Sequence, residues 1–415
     1  MQEKKRLLLL GGGHAEIPLI KAAQALGYFV ITTGNAREGL GHPYADKNVF
    51  EDFSDKEAML ELARRENVSA VCSGCNDFAL LSTVYVCEKL GFPGHDSYAT
   101  SLEIHHKDKY RALAERLNIP TPHAVTVRSR DEFCALFKSG ACASERGADD
   151  NAATLRFPLI IKPIDLTGGK GIHRAANYEE AAKAYEDAVC RTREDHVVVE
   201  EFVTGTNHGF SAMLVKGKVA FYFADNEQYF VNKYMVSGAS TPSTTSERGL
   251  QLLCEYSERI ATALNLVDGI LHIQYIERDD GIPVIIEICR RPPGDLYIKF
   301  VQYATGVDYP RAIILAETGE LQKTDLTAAP FNDAPVKPFL RHCVMASREG
   351  VVQRVNFALE IEKNIVEKFL WFKKGEPTGD ILYYKAGIVF LQFETVQEML
   401  EKTARMTDLI QVLIA

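Results

Sequence analysis

The sequence predicts a protein of mixed α/β and α+β class with several domains. The chain has 415 residues, which favours two or three domains over one hydrophobic core. Its first quarter alternates apolar runs of strand length with segments of helical periodicity, as in a doubly wound parallel sheet. Its middle part carries successive strands joined by short turns, which is typical of antiparallel α+β structure.

The composition is that of a globular protein, with 46% hydrophobic and 25% charged residues and a net charge of −9. No basic stretch interleaved with aromatic residues occurs, so nucleic acid is not expected as a partner. No run approaches the roughly 20 apolar residues of a membrane span. The nine scattered cysteines are typical of a reducing compartment, and we expect a cytoplasmic protein without membrane contact.

The alternation of strand and helix patterns in residues 1–105 predicts the doubly wound α/β domain. The segment "RLLLLGGGHAEIPLIKAAQALGYFVITTG" indicates strand, glycine turn, helix and strand, and "KEAMLELARRENVSAVCSG" repeats the alternation. A nicotinamide-dependent oxidoreductase is one alternative, because dinucleotide sites also use such a turn. The G-x-G-x-x-G pattern is broken at Glu16, and the second strand lacks a terminal acid. Cys72 and Cys75 have no second pair at zinc spacing, which favours a plain strand-end loop.

Two features divide the middle part of the chain from its neighbours. "KSGACASERGADDNAATLRF" (138–157) predicts a flexible surface insertion, because it is small, polar and charged. From about residue 331 the pattern changes to a smaller mixed segment of strands with a last helix. The chain between them predicts two strand groups and a long helix, "SERGLQLLCEYSERIATALNL".

A lysine inside an apolar strand is the first sign of chemistry. In "FPLIIKPIDLTGGKGIHRA" Lys162 lies within the strand, and Gly168, Gly169 and Gly171 follow it. A cation beside unhindered backbone N–H groups suits a polyphosphate. The G-x-x-x-x-G-K-[ST] motif is absent, since Gly171 follows Lys170.

The hairpin 270–288 carries a second group of polar residues. If its turn at 278–281 is symmetric, Gln274 opposes Ile285 and His272 opposes Glu287. Side chains two apart share a strand face, so His272, Gln274 and Glu287 are expected to point the same way. Oxygen ligands of this kind suit Mg²⁺, although a solvated sheet face has the same pattern. Arg291 then precedes a proline-stiffened turn, where a guanidinium can grip a carboxylate or phosphate.

The order of these signals resembles the ATP-grasp superfamily. The order is Lys109 at a helix start, Lys162 with its glycine loop, the "EEFV" segment at 200–203, and the Gln274 to Glu287 hairpin with Arg291. The resemblance implies a pre-grasp domain at 1–105, an ATP-grasp domain at 106–330 with a mobile lid at about 124–203, and a C-terminal domain at 331–415. The chain is similar to amino-acid ligases and to the carbamoyl-phosphate synthase and biotin carboxylase branch.

The resemblance also implies a role for each site residue. Lys109 and Lys162 would hold phosphates, and the loop 165–171 with Gly168, Gly169 and Gly171 would close over them. The adenine and ribose would be bordered by Glu200, Glu201, Val203 and His208. Gln274 and Glu287 would hold Mg²⁺ or Mn²⁺. Glu287 and Arg291 would be the catalytic residues.

The activity implied is ligation of a small-molecule carboxylate to an amine through an acylphosphate, with ATP converted to ADP and phosphate. Two positions depart from the family: Gln274 replaces an acid, and Cys289 replaces an asparagine. These departures favour an alternative, a nucleotide-binding protein without ligase activity. A biotin carboxylase is not expected, because the chain shows no carrier segment of its own. A homodimer is expected only because relatives commonly pair.

Overall fold

The computed structural model describes residues 4–138, 142–143, 155–166, 168–326 and 337–415. Most of the polar insertion predicted at 138–157 lies outside the described residues. The same holds for the expected domain boundary at 330/331 and for one position of the glycine loop, Thr167.

The first domain is a four-stranded parallel sheet with strand order β3-β2-β1-β4. Its strands β1 to β4 are Arg6–Leu10, Phe29–Thr33, Lys47–Val49 and Ala70–Cys72. Its helices α1 to α4 are Ile17–Ala25, Lys56–Arg65, Asp77–Leu90 and Tyr98–His105, and short 3₁₀ helices cover His14–Glu16 and His42–Tyr44. Leu7 and Leu9 join the core on the α1 face, whereas Leu8 and Leu10 join the core on the α2 and α3 face. The doubly wound α/β fold is therefore confirmed.

The glycine turn after β1 is filled by the protein's own side chains. Glu16 accepts hydrogen bonds from the backbone N–H groups of Gly13, at 2.9 Å, and Cys75, at 3.1 Å. A Cβ at Gly12 would lie 2.0 Å from the His42 ring. A dinucleotide phosphate would have to displace Glu16 from this turn, which agrees with the broken glycine pattern.

A small antiparallel sheet with order β5-β10-β8-β9 follows. The strands β5 to β10 are Ala124–Val127, Cys142–Ala143, Leu155–Arg156, Leu159–Pro163, His173–Ala175 and Val197–Glu201. The helices α5 to α7 are Lys107–Arg116, Arg130–Lys138 and Tyr178–Arg191. The sheet has its own core of buried residues, including Phe133 and Ile161. It occupies the span in which the lid was expected.

The central sheet has eight strands in the order β15-β14-β11-β12-β13-β16-β19-β18. Strands β11 to β15 are Thr206–Val215, Lys218–Gln228, Gly238–Thr241, Gly269–Glu277 and Pro283–Cys289. Strands β16 to β20 are Phe339–Val344, Val352–Phe357, Ile365–Leu370, Gly387–Gln392 and Ile410–Ile414, with β17 paired only to β20. The helices α8 to α13 are Glu247–Leu264, Tyr297–Thr305, Tyr309–Glu317, Leu359–Glu362, Val396–Thr403 and Met406–Leu409, and a 3₁₀ helix covers Lys323–Leu326.

The C-terminal segment continues this sheet. Strand β16 pairs with β13 in antiparallel register, with Gly238 opposite His342. Residues 337–415 do have a core of their own, which includes Val389 and Met399. The small domain expected at 331–415 therefore shares its sheet with the middle part of the chain.

The two faces of the central sheet differ. One face packs against α8 through Phe210, Ile273 and Tyr275. The other face is apolar at one end, where Met213 and Phe223 share a core with α9 and α10. Towards its other end this second face carries polar side chains, and it is there that the predicted site residues converge.

Candidate active site

Lys162 lies on β8 and is only 3% exposed. Its Nζ atom is 2.6 Å from Oε2 of Glu200, and Oε1 of Glu200 accepts a hydrogen bond of 3.0 Å from Arg111 Nε. Burial lowers the pKa of Lys162 to about 8, and the neighbouring cations Arg111 and Lys107 add to this effect. Although burial opposes ionisation, Arg111 and Lys162 hold the pKa of Glu200 below its ordinary value. The cluster contains two cations and one anion, so a further anion would be attracted to it.

Lys107, and not Lys109, is the second lysine at this place. Lys107 is the first residue of α5 and is 5% exposed, whereas Lys109 is exposed. Lys107 Nζ donates to the backbone oxygen of Leu166 at 2.8 Å and lies 3.4 Å from Glu287 Oε1. The two lysines therefore point in different directions, because successive helical residues are turned by about 100°, and only Lys107 lies beside Glu287 and the start of the glycine loop.

The glycines of the loop have backbone conformations that other residues rarely adopt. Gly168, Gly169 and Gly171 have φ angles of 68°, 75° and 69°, a region that favours glycine. A Cβ at Gly169 would lie 2.5 Å from the Tyr234 backbone oxygen, whereas one at Gly168 would meet no atom within 4 Å. The loop therefore lies against the segment around Tyr234, which joins β12 to β13 of the central sheet.

Two of the expected adenine contacts have other partners. Both oxygens of Glu200 bind cations, and its side chain is 2% exposed, so it positions Lys162 and does not border an open adenine site. Glu201 is exposed, and its Oε1 accepts a hydrogen bond of 2.9 Å from the backbone N–H of His123. Val203 is half-buried in the segment that joins β10 to β11. This connection between the two sheets remains the predicted adenine side.

His208 faces away from the cleft, so the ribose contact predicted for it is wrong. It is 1% exposed, bonds Thr206 Oγ1 at 2.7 Å and Ser243 Oγ at 3.1 Å, and stacks on Tyr275. Because side chains alternate along a strand, His208 lies on the α8 face, while its neighbour Gly209 lies on the face of Gln274.

The hairpin register differs from the symmetric prediction. Gln274 lies opposite Glu287 and His272 lies opposite Cys289, because a β-bulge follows Gln274. His272, Gln274 and Glu287 still share one face, as expected. His272 is buried, and its Nδ1 atom is 2.7 Å from Ser211 Oγ. Burial and the nearby Arg291 lower the pKa of His272 to about 3, so this imidazole is neutral.

Arg291 reaches back to the first domain. Its Nε donates to Asp77 Oδ1 at 2.9 Å and its Nη2 donates to Asp77 Oδ2, which makes a bidentate pair. Although burial opposes ionisation, Arg291 and His105 hold the pKa of Asp77 well below its ordinary value. Arg291 also interacts electrostatically with Glu287. The expected catalytic arginine is thus fixed at the base of the cleft by an interdomain ion pair.

The cleft contains oxygen donors that suit Mg²⁺. Within the described part of the chain, no three His, Cys, Asp or Glu side chains form a metal-binding group. Gln274 and Glu287 are cross-strand neighbours, and Gln274 Nε2 donates to Glu227 Oε1 at 2.8 Å. Burial raises the pKa of the Cys289 thiol to about 12, so it stays protonated and is no Mg²⁺ ligand. Mg²⁺ commonly takes one or two carboxylates and completes its shell with phosphate and water, which fits this donor set.

Lys107, Lys162, Glu287 and Arg291 therefore converge between the small sheet and the central sheet. In agreement with this geometry, residues 108–295 match the family described as the ATP-grasp domain. This part of the chain is an ATP-grasp domain, and the resemblance seen in the sequence is confirmed at that level.

The whole chain is similar in fold to solved structures of ligases. It is similar to L-amino acid ligase from Bacillus licheniformis, with a TM-score of 0.79, 17% identity and 100% coverage of both chains. It is also similar to phosphoribosylglycinamide synthetase from Anaerococcus prevotii, with a TM-score of 0.74, 20% identity and 100% coverage of both chains.

A third similar structure is the biotin carboxylase domain dimer of 2-oxoglutarate carboxylase from Hydrogenobacter thermophilus, solved with MgADP and bicarbonate. It matches with a TM-score of 0.76 and 15% identity over 100% of this chain and 91% of that chain. At these identities the comparisons establish a shared fold. Within the described residues, no helix is long and apolar enough to cross a membrane.

Proposed function

We propose that this protein is an ATP-dependent ligase that activates a small-molecule carboxylate and joins it to an amine. The observation that carries the proposal is the meeting of Lys107, Lys162 and Glu287 in one cleft of an ATP-grasp domain. The similar structures named above are ligases or a carboxylase domain bound to MgADP, which supports the same class of reaction.

The two lysines would bind the phosphates of ATP. Lys107 Nζ contacts the backbone oxygens of Ile164 and Leu166 at the start of the glycine loop. A phosphate is a stronger partner for an ammonium group than a neutral carbonyl, so we expect ATP to take these contacts. The two positive charges of Lys162 and Arg111 exceed the single negative charge of Glu200, so this cluster still attracts the phosphates. The loop glycines would then cover the nucleotide and exclude water.

Phosphoryl transfer in such a site requires positioning and charge neutralisation more than a covalent residue. The carboxylate oxygen attacks the γ-phosphorus, and the bond to the ADP oxygen breaks. The amine nitrogen then attacks the acyl carbon, phosphate leaves, and the nitrogen loses a proton. Mg²⁺, held by Glu287 and the Gln274 amide oxygen, would neutralise charge on the β- and γ-phosphates.

We propose that the carboxylate substrate binds beside two cationic side chains next to the cleft, Arg341 and Lys385. Arg341 is 3% exposed, and its Nε is a buried donor without a hydrogen-bond partner among the described residues. Arg341 and Lys385 both contact Asp295, and Lys385 Nζ lies 2.5 Å from Asp295 Oδ2. Two cations around one carboxylate leave a net positive charge. Arg341 also acts electrostatically on Glu227, next to Gln274.

Trapping of the acylphosphate tests this proposal. The protein is incubated with Mg²⁺-ATP, hydroxylamine and single carboxylates, beginning with amino acids because of the similarity to an amino acid ligase. Carboxylate-dependent formation of hydroxamate and ADP is expected from the wild type, and none from Lys162→Met. ATP binding without ADP formation across amino acids, hydroxy acids and dicarboxylates would contradict ligase activity. It would favour the alternative of a nucleotide-binding protein without ligase activity, which the departures at Gln274 and Cys289 also favour.

A further inference from the structure

The cleft contains a carboxylate that sequence reasoning did not single out. Glu227 lies at the end of β12, and its Oε1 accepts a hydrogen bond of 2.8 Å from Gln274 Nε2. Its Oε2 accepts a hydrogen bond of 2.5 Å from the Tyr229 hydroxyl. These two contacts fix the carboxylate next to Gln274, the position where the family resemblance implies an acid.

Gly209 lies in the strand between those of Glu227 and Gln274. Strand β11 separates β12 from β14, and Gly209 of β11 pairs with Gln274 on one side and with Asp225 on the other. A Cβ at Gly209 would lie 2.8 Å from Asp225 Oδ2. The glycine therefore leaves room for the Asp225 carboxylate on the same face of the sheet.

The orientation of Gln274 follows from its partner. A carboxylate accepts hydrogen bonds, so the amide nitrogen must face Glu227 and the amide oxygen must point elsewhere. Gln274 therefore offers one neutral oxygen and lacks the negative charge of the acid that it replaces. Glu227 supplies a negative charge within hydrogen-bonding distance of the same amide.

The charges around Glu227 are unbalanced. Within the described ranges, Glu227 forms no ion pair with a Lys, Arg or His nitrogen within 4.0 Å, whereas Glu287 is paired with Lys107. Glu227 and Glu287 repel each other across the Gln274 amide, and Asp225 lies one pleat away on the same face. Burial raises the pKa of Glu227 and Arg341 lowers it, but no ion pair among the described residues compensates this carboxylate directly, so a bound cation would be favoured beside it.

We propose that Glu227 is a ligand of the divalent cation and supplies the carboxylate that position 274 lacks. Glu287, the Gln274 amide oxygen and Glu227 would then hold Mg²⁺ or Mn²⁺ with the nucleotide phosphates. The inference rests on the proposed function, because it places the cation of the same nucleotide site. It also gives a reason why a glutamine at position 274 is compatible with a metal-dependent reaction.

Mn²⁺ binding measured by electron paramagnetic resonance, in the presence of ADP, tests the inference without turnover. Glu227→Gln is expected to weaken Mn²⁺ binding about tenfold or more, because affinity follows the number of charged ligands. The double variant Glu227→Gln with Gln274→Glu moves the carboxylate one side chain over and is expected to recover most of the affinity. Glu57→Gln is the matched control, since Glu57 also accepts a tyrosine hydroxyl, from Tyr85 in the first domain.

ADP affinity in EDTA, measured by calorimetry, distinguishes a failure of the proposed nucleotide site from a failure of the metal role proposed for Glu227. Wild-type protein that binds no ADP would overturn the proposed function itself. Wild-type Mn²⁺ affinity in Glu227→Gln would overturn only the role of Glu227. If Glu227→Gln also loses metal-free ADP binding, Mn²⁺ affinity is measured in the double variant to test whether Glu227 is a metal ligand. Recovery of Mn²⁺ affinity there supports the inference, and failure to recover overturns it.

Discussion

Lys107 Nζ lies 3.4 Å from Glu287 Oε1, so the first residue of α5 is ion-paired with strand β15 across the cleft. Lys107 is buried, while Lys109, two residues further along the helix, is exposed. The pair brings together a cation suited to phosphate and a carboxylate suited to a divalent cation. Both groups are available to a Mg²⁺-nucleotide once the pair opens.

The two lysines make a direct comparison possible. Lys107→Met is expected to weaken ADP binding by roughly 30-fold, since a charge-assisted hydrogen bond contributes about 2 kcal/mol. Lys109→Met is expected to leave the dissociation constant unchanged, because that side chain is in solvent. Isothermal titration calorimetry on both variants decides between them. A larger loss in Lys109→Met would restore the position predicted from the sequence.

The depressed pKa of Lys162 predicts that nucleotide binding depends on pH. Its pKa is about 8 in the described structure, against an ordinary value of 10.5, and a phosphate binds the charged form. The ADP dissociation constant should therefore rise above pH 8, by up to about tenfold per pH unit. Lys162→Arg keeps its charge and should flatten the profile. Identical profiles for both proteins between pH 7 and 9.5 would contradict this assignment.

The lowered pKa of Lys162 has the opposite consequence for stability, which should rise with pH where nucleotide affinity falls. Between its folded pKa of about 8 and its ordinary value of 10.5, the unfolded chain binds the proton and the folded protein does not. The contribution of Lys162 to the free energy of unfolding should therefore rise with pH across this window. Urea denaturation at pH 7.5 and 9.5 measures it as a difference between wild type and Lys162→Met. A contribution that falls with pH would show that the folded pKa is not lowered.

The ion pair of Arg291 with Asp77 joins the first domain to the cleft. Asp77→Asn leaves a largely buried guanidinium without its partner, and the free energy of unfolding should fall by about 3–5 kcal/mol. Asp280→Asn is the control, because the pair of Asp280 with Arg278 is exposed and should not shift the urea midpoint. Equal midpoints in the two variants would mean that the interdomain pair does not stabilise the fold.

Two adjacent loop glycines should differ in their tolerance of a side chain. Both have positive φ, but only a Cβ at Gly169 would meet the Tyr234 backbone, at 2.5 Å. Gly169→Ala should therefore weaken ADP binding more than Gly168→Ala, because the loop could not settle over the cleft. Calorimetry gives the affinities, and limited proteolysis shows whether ADP still protects the loop. Equal effects would mean that backbone conformation alone limits these positions.

The sequence by itself determined the local features. The leucines of β1, the glycine turn and Lys162 in its strand follow from side-chain period and residue chemistry. The shared face of His272, Gln274 and Glu287 also follows from the period of two along a strand. Their order along the chain was enough to indicate the ATP-grasp domain.

Only the tertiary structure decided which groups meet. The bulge after Gln274 set the hairpin register, helix geometry selected Lys107 over Lys109, and strand alternation turned His208 away from the cleft. The pairing of Arg291 with Asp77 and of Gln274 with Glu227 joins residues far apart in the chain. No local pattern encodes such contacts, because they depend on how strands and domains pack.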